Sequence, residues 1–598
     1  MKRKIALLLA MLFCFVFAFA GCGGKENNKK NNSTNSSNKG EKKEDGKKED
    51  DKKQESKEDM QDTGLRLHEA EAPDTVPADA TSRKDTLVVG IDDASGNLVP
   101  YYTNSAYDYA VYGIMFDSLF ESSDNGLPES GKGIGSWEIA DGGKKFIITM
   151  KKGIKYWDGT EMTADDLIWS YHFIADPDYQ GFEDISTSGI VGLQEYMDDK
   201  DGKVTEISGI KKIDDYKVEV SLVEPNREAV YNLSVSVLPK HYYGKDYKKG
   251  DLQYILDNFR TAPMGSGPYK YESMNEGQQI RFVANNDYWK GTPKIPNLIY
   301  KYVKSDTVLQ ELLTGQIDMT AGVDIDLDNI EEMKAAGFVS FGMTPNPGYG
   351  YIGFNCTNSI LSDAKVRQAL THATNRQAVV QTVYGEYASV IDVVQVPTHP
   401  AFPKDHNTYE YDMDKAAAML DEAGWTMGSD GFRYKDGNKM SLRYYATSPN
   451  VVNDAIVPII TNDWKTLGVD LSVEQCDFNT LLEKSDPKVK AYDILFLAAG
   501  IGTNPNVEFR FSTTGNGNNS GYSNAELDKL VVDVKKEIDD TKANEMYAKT
   551  IKMVNEDVPV MPVYQRMNMN CYNARVLNVK FGMYYDWYED MEQLELKK

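Results

Sequence analysis

Apolar and polar positions along the chain fall into three regimes. Ile5 to Ala20 is a continuous apolar stretch, preceded by Lys2, Arg3 and Lys4 and followed by Gly21-Cys22. From Gly23 to about Thr63 apolar residues almost vanish. A further polar stretch follows, and from Thr86 short β-branched runs alternate with helical periodicities to the C-terminus. Thr86 to Ile91 is an apolar run of strand length, rich in β-branched residues. Thr163 with Asp166 three residues on forms a capping box that opens a helix over Ala164 to Phe173, behind the turn Trp157-Asp158-Gly159. Ser362 starts a helix with Val366, Ala369, Leu370 and Ala373 at helical spacing, and Asn375 caps the next. Asp414 begins a helix from Lys415 to Ala423, stopped by Gly424 in a left-handed cap onto which Trp425 folds back. Alternation of this kind predicts an α/β body.

The leader changes the picture first. Sixteen apolar residues are short for a spanning helix, which needs roughly 20, and small residues precede a lone cysteine. The arrangement resembles the bacterial lipoprotein signal, which implies that residues 1–21 are removed and that Cys22 is lipidated at the extracellular face of the cell membrane. Lys25 to Asp62 carries eleven lysines and eleven acids. Such a segment buries too little apolar surface to offset its ordering entropy, so 22–84 reads as a lipidated cysteine on a disordered polar leash. At 5–6 Å × √n, about 40 residues span on the order of 35 Å as a coil.

Composition then removes function classes. The chain has 598 residues and a formal net charge of −25, so nucleic acid is not a partner, because phosphate binding needs a basic surface. Anionic lipid headgroups would repel the body too, leaving the acyl chains as the only membrane contact. Of five cysteines only Cys356, Cys476 and Cys571 lie in the body, far apart in sequence, which excludes a disulfide framework and a Cys-rich zinc site. No phosphate loop, nucleophile elbow, HExxH or CxxC occurs. His399 and His406 could meet in one loop and bind a metal, but no second liganding pair accompanies them, so no metal and no cofactor is expected. Without a nucleophile–base set, no enzyme is expected either, an extracellular hydrolase being the remote rival.

Several segments in a fixed order carry a family resemblance. They are Trp157-Asp158-Gly159-Thr160 with Asp165-Asp166-Leu167, Gly265-Ser266-Gly267-Pro268-Tyr269 with Asn286-Asp287-Tyr288-Trp289, and Leu313-Thr314-Gly315-Gln316-Ile317-Asp318. Phe354-Asn355 follows, then Val366-Arg367-Gln368-Ala369-Leu370 with Ala373-Thr374-Asn375-Arg376, and a return strand over Asp557 to Tyr564. Together they resemble the extracytoplasmic solute-binding proteins of family 5, the oligopeptide- and dipeptide-binding lipoproteins of ABC importers. The resemblance implies a two-lobed periplasmic-binding-protein-like fold (type II, cluster C) with an extra inserted subdomain. Lobe I would comprise 85–120, 265–345 and 560–598, with 121–264 inserted, and lobe II 346–559. It implies a monomer that captures a small solute, a peptide above all, and hands it to a separate ABC permease and ATPase. Two alternatives on the same fold stay open, a peptide-signal receptor without transport and a binder of an oligosaccharide or metal chelate.

Candidate ligand contacts follow from that architecture. Tyr101, Tyr102 and Tyr107 come after the first strand, and Tyr349, Tyr351 and Asn355 come at the crossing into lobe II. Aromatic walls give a large contact area at low entropy cost. The resemblance places a lobe II strand at Tyr492 to Leu497, and Ala499, Gly500, Gly502, Thr503 and Asn504 occupy the loop after it. In peptide-binding members an aspartate in that loop meets the ligand's α-ammonium. Here the loop, Ala498 to Pro505, holds no acid, and the ligand is expected to be held by backbone hydrogen bonds and aromatic contacts.

Overall fold

The computed structural model describes residues 64–92, 94–102, 106–123, 126–325 and 327–597. The apolar leader, Cys22 and the leash to Thr63 lie outside the described residues. Order begins earlier than the polar composition suggests. Arg66–His68 pairs antiparallel with Phe341–Met343, and the short helix Ala78–Thr81 packs Ala80 into the body. A few small apolar residues and one backbone ladder therefore dock 66–84, a stretch expected to belong to the leash. Among the described residues no helix is long and apolar enough to cross a membrane.

One thirteen-stranded mixed sheet runs through the molecule. Along its main path the strands are Asp470–Cys476, Ser441–Thr447, Ile494–Gly500, Gly348–Phe354, Val560–Asn573, Met319–Thr320, Thr86–Ile91, Asn297–Tyr302, Gln279–Ala284 and Tyr269–Asn275. Val560–Asn573, fourteen residues long, belongs to both halves. Its first part pairs with Gly350–Gly353 and its second with Val339–Pro345. The chain crosses between the halves at Asn346-Pro347 and at Gln565-Arg566, where the crossings are tied together. Asn346 N donates to the Arg566 carbonyl at 2.8 Å, and Gln565 Nε2 to the Asn346 carbonyl at 2.8 Å. At the crossing Gly350 is required by close approach, since a Cβ there would lie 2.4 Å from the Tyr564 ring.

Each half has its own core, which makes the molecule two-lobed. Leu87, Val89 and Ile91 point into one cluster and Val88 into another, so the first strand is covered on both faces, as its continuous apolar run implies. The larger cluster continues without a break into a four-stranded antiparallel sheet, Gly135–Ala140, Lys145–Met150, Lys217–Ser221 and Ile210–Asp214. The second lobe packs Ile352, Phe354, Leu370, Trp464 and Phe496 together.

The motifs turn out to be fold devices. Asp117 accepts from Ser266 Oγ at 2.6 Å, from Tyr288 OH at 3.0 Å and from Trp289 Nε1 at 3.0 Å, which gathers the Gly-Ser-Gly-Pro-Tyr and Asn-Asp-Tyr-Trp segments on one carboxylate. Arg367 is buried and donates to the carbonyls of Leu361, Ser362, Asp557 and Val558, closing the end of the helix Asp540–Asp557. The Thr163–Asp166 box and the Asn375 cap form as expected, the latter accepting from Ala378 N. Two helix starts move by one or two residues. Asp363, not Ser362, caps Ala364–His372, accepting from Lys365 N, and Asp412, not Asp414, caps Met413–Glu422, accepting from Lys415 N, so in each case a carboxylate at extended backbone meets the free amides. Gly424 closes the latter helix at φ 85°, and Trp425 N returns to the Leu420 carbonyl.

Candidate functional site

The tyrosines after the first strand are mostly committed inward. Tyr101 is 2% exposed, sits at φ 67°, and its hydroxyl donates to the Ser236 carbonyl. Its own carbonyl accepts from Phe182 N at 3.0 Å and from Tyr179 OH at 3.2 Å, so the loop after Asp176 wraps around it. Tyr102 is half-buried with its ring edge against Tyr179 at 5.6 Å, and burial pushes its phenol up to about 12. Tyr107, on the helix Ala106–Gly113, is half-buried and its phenol is raised by burial as well.

In the second lobe Tyr349 and Tyr351 lie on one strand with rings 5.5 Å apart, both buried. Burial raises the Tyr349 phenol, and the Arg510 guanidinium opposes that rise. Asn355 spends its side chain within its own lobe. Its Nδ2 donates to the Tyr492 carbonyl at 2.7 Å and the Lys490 carbonyl at 3.1 Å, while Oδ1 accepts from Thr357 N and Oγ1. This is an Asx turn, a local signal present in Asn-Cys-Thr. The strand expected over Tyr492 to Leu497 runs instead from Ile494 to Gly500. Ala499 and Gly500 thus sit in the sheet, opposite Tyr349 and Gly348, and the loop begins at Ile501. His399 Nδ1 accepts from Ala401 N, and His406 Nδ1 lies 2.9 Å from the Pro403 carbonyl.

The loop Ile501–Asn506 is where the lobes meet. Ile501 N donates to the Pro347 carbonyl at the crossing. The Thr503 carbonyl accepts from Tyr231 OH of the inserted region at 3.3 Å. The Gly126 Cα, the Tyr584 ring and the Thr503 methyl converge so closely that a Cβ on Gly126 would lie within 2.9 Å of both side chains. Asn504 Nδ2 donates to Glu228 Oε2 at 3.2 Å, Asn506 Nδ2 to Glu228 Oε1 at 2.6 Å, and Tyr547 OH to the same oxygen at 2.7 Å. Glu228 is 8% exposed. Beside it Arg227 donates to the Glu537 carbonyl at 2.9 Å and to Asp540 at 2.6 Å, and Lys536 pairs with Glu224 at 2.9 Å. These contacts join 224–231 to 503–547. Sequence reading missed Arg227 and Glu228, which carry no local motif and find partners more than 270 residues away.

The two independently cored lobes are therefore latched together through 224–231 and 503–547. A cavity of about 780 Å³ elsewhere is bordered only by first-lobe residues such as Leu67, Ser340, Tyr572 and Phe581, away from this junction. The backbone passes between the lobes at 346–347 and 565–566.

Comparison with known proteins gives the same architecture. Residues 134–521 match the family model described as bacterial extracellular solute-binding proteins, family 5 Middle. The chain is 29% identical over 437 residues to the oligopeptide-binding protein AppA of Bacillus subtilis, covering 72% of this chain and 76% of that protein. The structure of that AppA in complex with a nonapeptide superposes with a TM-score of 0.65 at 26% identity, over 86% of this chain and 99% of the other. NikZ from Campylobacter jejuni in complex with Ni(L-His) shares the fold at a TM-score of 0.63 and 23% identity, over 86% and 99%.

Proposed function

This chain belongs to the bacterial extracellular solute-binding proteins of family 5, and from that premise we propose that it captures a peptide or peptide-like solute between its lobes for an ABC importer. The observation that carries the reading is the junction itself. Glu228 and Arg227 of one lobe close onto Asn504, Asn506, Tyr547 and Asp540 of the other, with the Thr503 loop lying at the hinge. The likeness to an oligopeptide-binding protein over most of both chains favours a peptide as the solute. Thr503 and Gly502 are the retained ligand contacts from the loop, and Tyr102 and Tyr107 those from the first lobe, since each is still partly exposed. Tyr101, Tyr349, Tyr351 and Asn355 shape the walls from behind, as do the strand residues Ala499 and Gly500, and Asn504 acts through the latch.

Attachment completes the proposal. Cys22 carries the lipid, the leash to about residue 64 lets a monomeric body reach its permease, and the ATPase is a separate chain. The protein purified without refolding is expected to release, in native mass spectrometry, small molecules whose fragments differ by amino-acid residue masses. Release of a metal chelate or a sugar instead would reject the peptide reading. The same preparation grown with a fatty-acid probe should be labelled, and Cys22→Ala should not.

A further inference from the structure

His399 is 2% exposed, and its two ring nitrogens are used unequally. Nδ1 accepts from Ala401 N at 3.0 Å, so the neutral ring carries its proton on Nε2. Nε2 is buried without a hydrogen bond of normal geometry. The backbone group that acts on the ring is Thr503, and it favours the protonated form as an acceptor does, which makes it the Thr503 carbonyl. A stiff turn carries the ring. Pro397, Pro400 and Pro403 fix the backbone around it, His399 N donates to the Val396 carbonyl at 3.0 Å, and Phe402 N returns to the His399 carbonyl at 2.9 Å. Val396 is buried in the cluster that holds Ile501, and Ala401 in the cluster against which Val507 packs. The turn therefore backs both ends of the loop Ile501–Asn506.

The tip of that loop is otherwise met from the first lobe. The Thr503 carbonyl accepts from Tyr231 OH at 3.3 Å, the Thr503 methyl converges with Gly126, and Asn504 Nδ2 donates to Glu228 at 3.2 Å. Contacts of that kind are lost whenever the lobes part. His399 shares its lobe with Thr503 and moves with it. A buried N–H without an acceptor is costly, as is a carbonyl stripped of its donor, so the two groups complete each other.

We propose that His399 is a positioning residue for the ligand loop, its Nε2–H holding the Thr503 carbonyl from within the second lobe. The inference rests on the reading of Thr503 as a ligand contact and adds what keeps that contact in place. When the lobes part, Tyr231 withdraws and His399 retains the carbonyl, so the tip keeps its shape. A solute entering the open cleft then meets a formed wall, and the cost of ordering the loop does not fall on binding.

Hydrogen exchange at the Asn506 amide, which donates to Asn504 Oδ1 at 3.0 Å, reads whether the tip is formed. The full-length protein in mild detergent, without added solute, is compared with two variants. His399→Asn leaves an acceptor within reach of Ala401 N but no donor at the Nε2 position, whereas His399→Gln restores a donor there. Exchange should be about fivefold faster in His399→Asn, as for the loss of one hydrogen bond, and within about twofold of wild type in His399→Gln. Equal exchange in all three proteins, a rise in both variants, or a rise in His399→Gln alone would overturn the inference. If a variant fails to fold, the wild type decides. Long-range proton–nitrogen correlation should show the His399 ring neutral, with its proton on Nε2 and protected from water. A proton on Nδ1, or an Nε2 proton in rapid exchange, would overturn the inference. None of these readings needs a peptide, so their failure leaves the proposed function standing, and a failure to recover a peptide by native mass spectrometry leaves them standing.

Discussion

Asp318→Ala is expected to destabilise the first lobe by about 3–5 kcal/mol, the usual cost of removing one partner from a buried ion pair. Asp318 is fully buried and accepts from Arg575 Nε at 2.9 Å and Nη2 at 3.1 Å, from Arg83 Nη2 at 2.9 Å, from Asn573 Nδ2 at 2.9 Å and from Val88 N at 2.9 Å. It therefore ties the first strand, the end of the long strand and the docked segment before Thr86 to one point. Without it the buried Arg575 keeps only its bonds to the carbonyls of Ala80, Arg83 and Thr86, and its charge has no counter-ion within the core. Urea unfolding, followed by hydrogen exchange at the Val88 amide, measures the loss. Arg575→Met in the same chain should recover part of it, because the unpaired charge goes too. A loss below about 1 kcal/mol would place the pair among surface ion pairs, whose worth is of that order.

The second large effect concerns the latch. Glu228→Ala is expected to weaken solute binding by about thirtyfold, or about 2 kcal/mol, with the loss in the dissociation rate. Hydrogen bonds to a charged group contribute roughly 1.5–3 kcal/mol each, but Asn504, Asn506 and Tyr547 regain water when the lobes part, so the net is well below three times that. The association rate is expected to hold, because the latch joins groups that meet only when the lobes are together. Removing it lowers the population of the closed state, and affinity falls with that population. Stopped-flow traces with an unchanged dissociation rate would show that these contacts do not hold the lobes together.

Much of the fold was legible because its motifs are short-range. The Thr163–Asp166 box, the Asn375 cap and the Gly424 stop each act within a few residues, and all three form. Ile317-Asp318 and Gly265-Ser266-Gly267 could be recognised as family segments, but their physical work, a buried carboxylate shared by distant strands, could not. Ala498-Ala499-Gly500, which the resemblance places in a loop, has weak strand propensity and yet continues the strand. Pairing with Gly348 and Tyr349 outweighs propensity there. The candidate site was less legible for the same reason. Tyrosine content pointed to the first lobe's wall, yet which hydroxyls are consumed depends on tertiary partners such as Ser236 for Tyr101. Glu228 lies in a segment with no pattern of its own, and only the fold reveals that it is met from the other lobe.

A solute is expected to close the two lobes about the crossings at 346–347 and 565–566. A ligand shifts such an equilibrium only by binding the closed state better than the open one. Small-angle scattering on the body, cut near residue 64 where packing begins, reads that shift directly. The radius of gyration should fall when the ligand identified by native mass spectrometry is added to saturation, and should fall less in Glu228→Ala. An unchanged radius at full occupancy would contradict capture by enclosure.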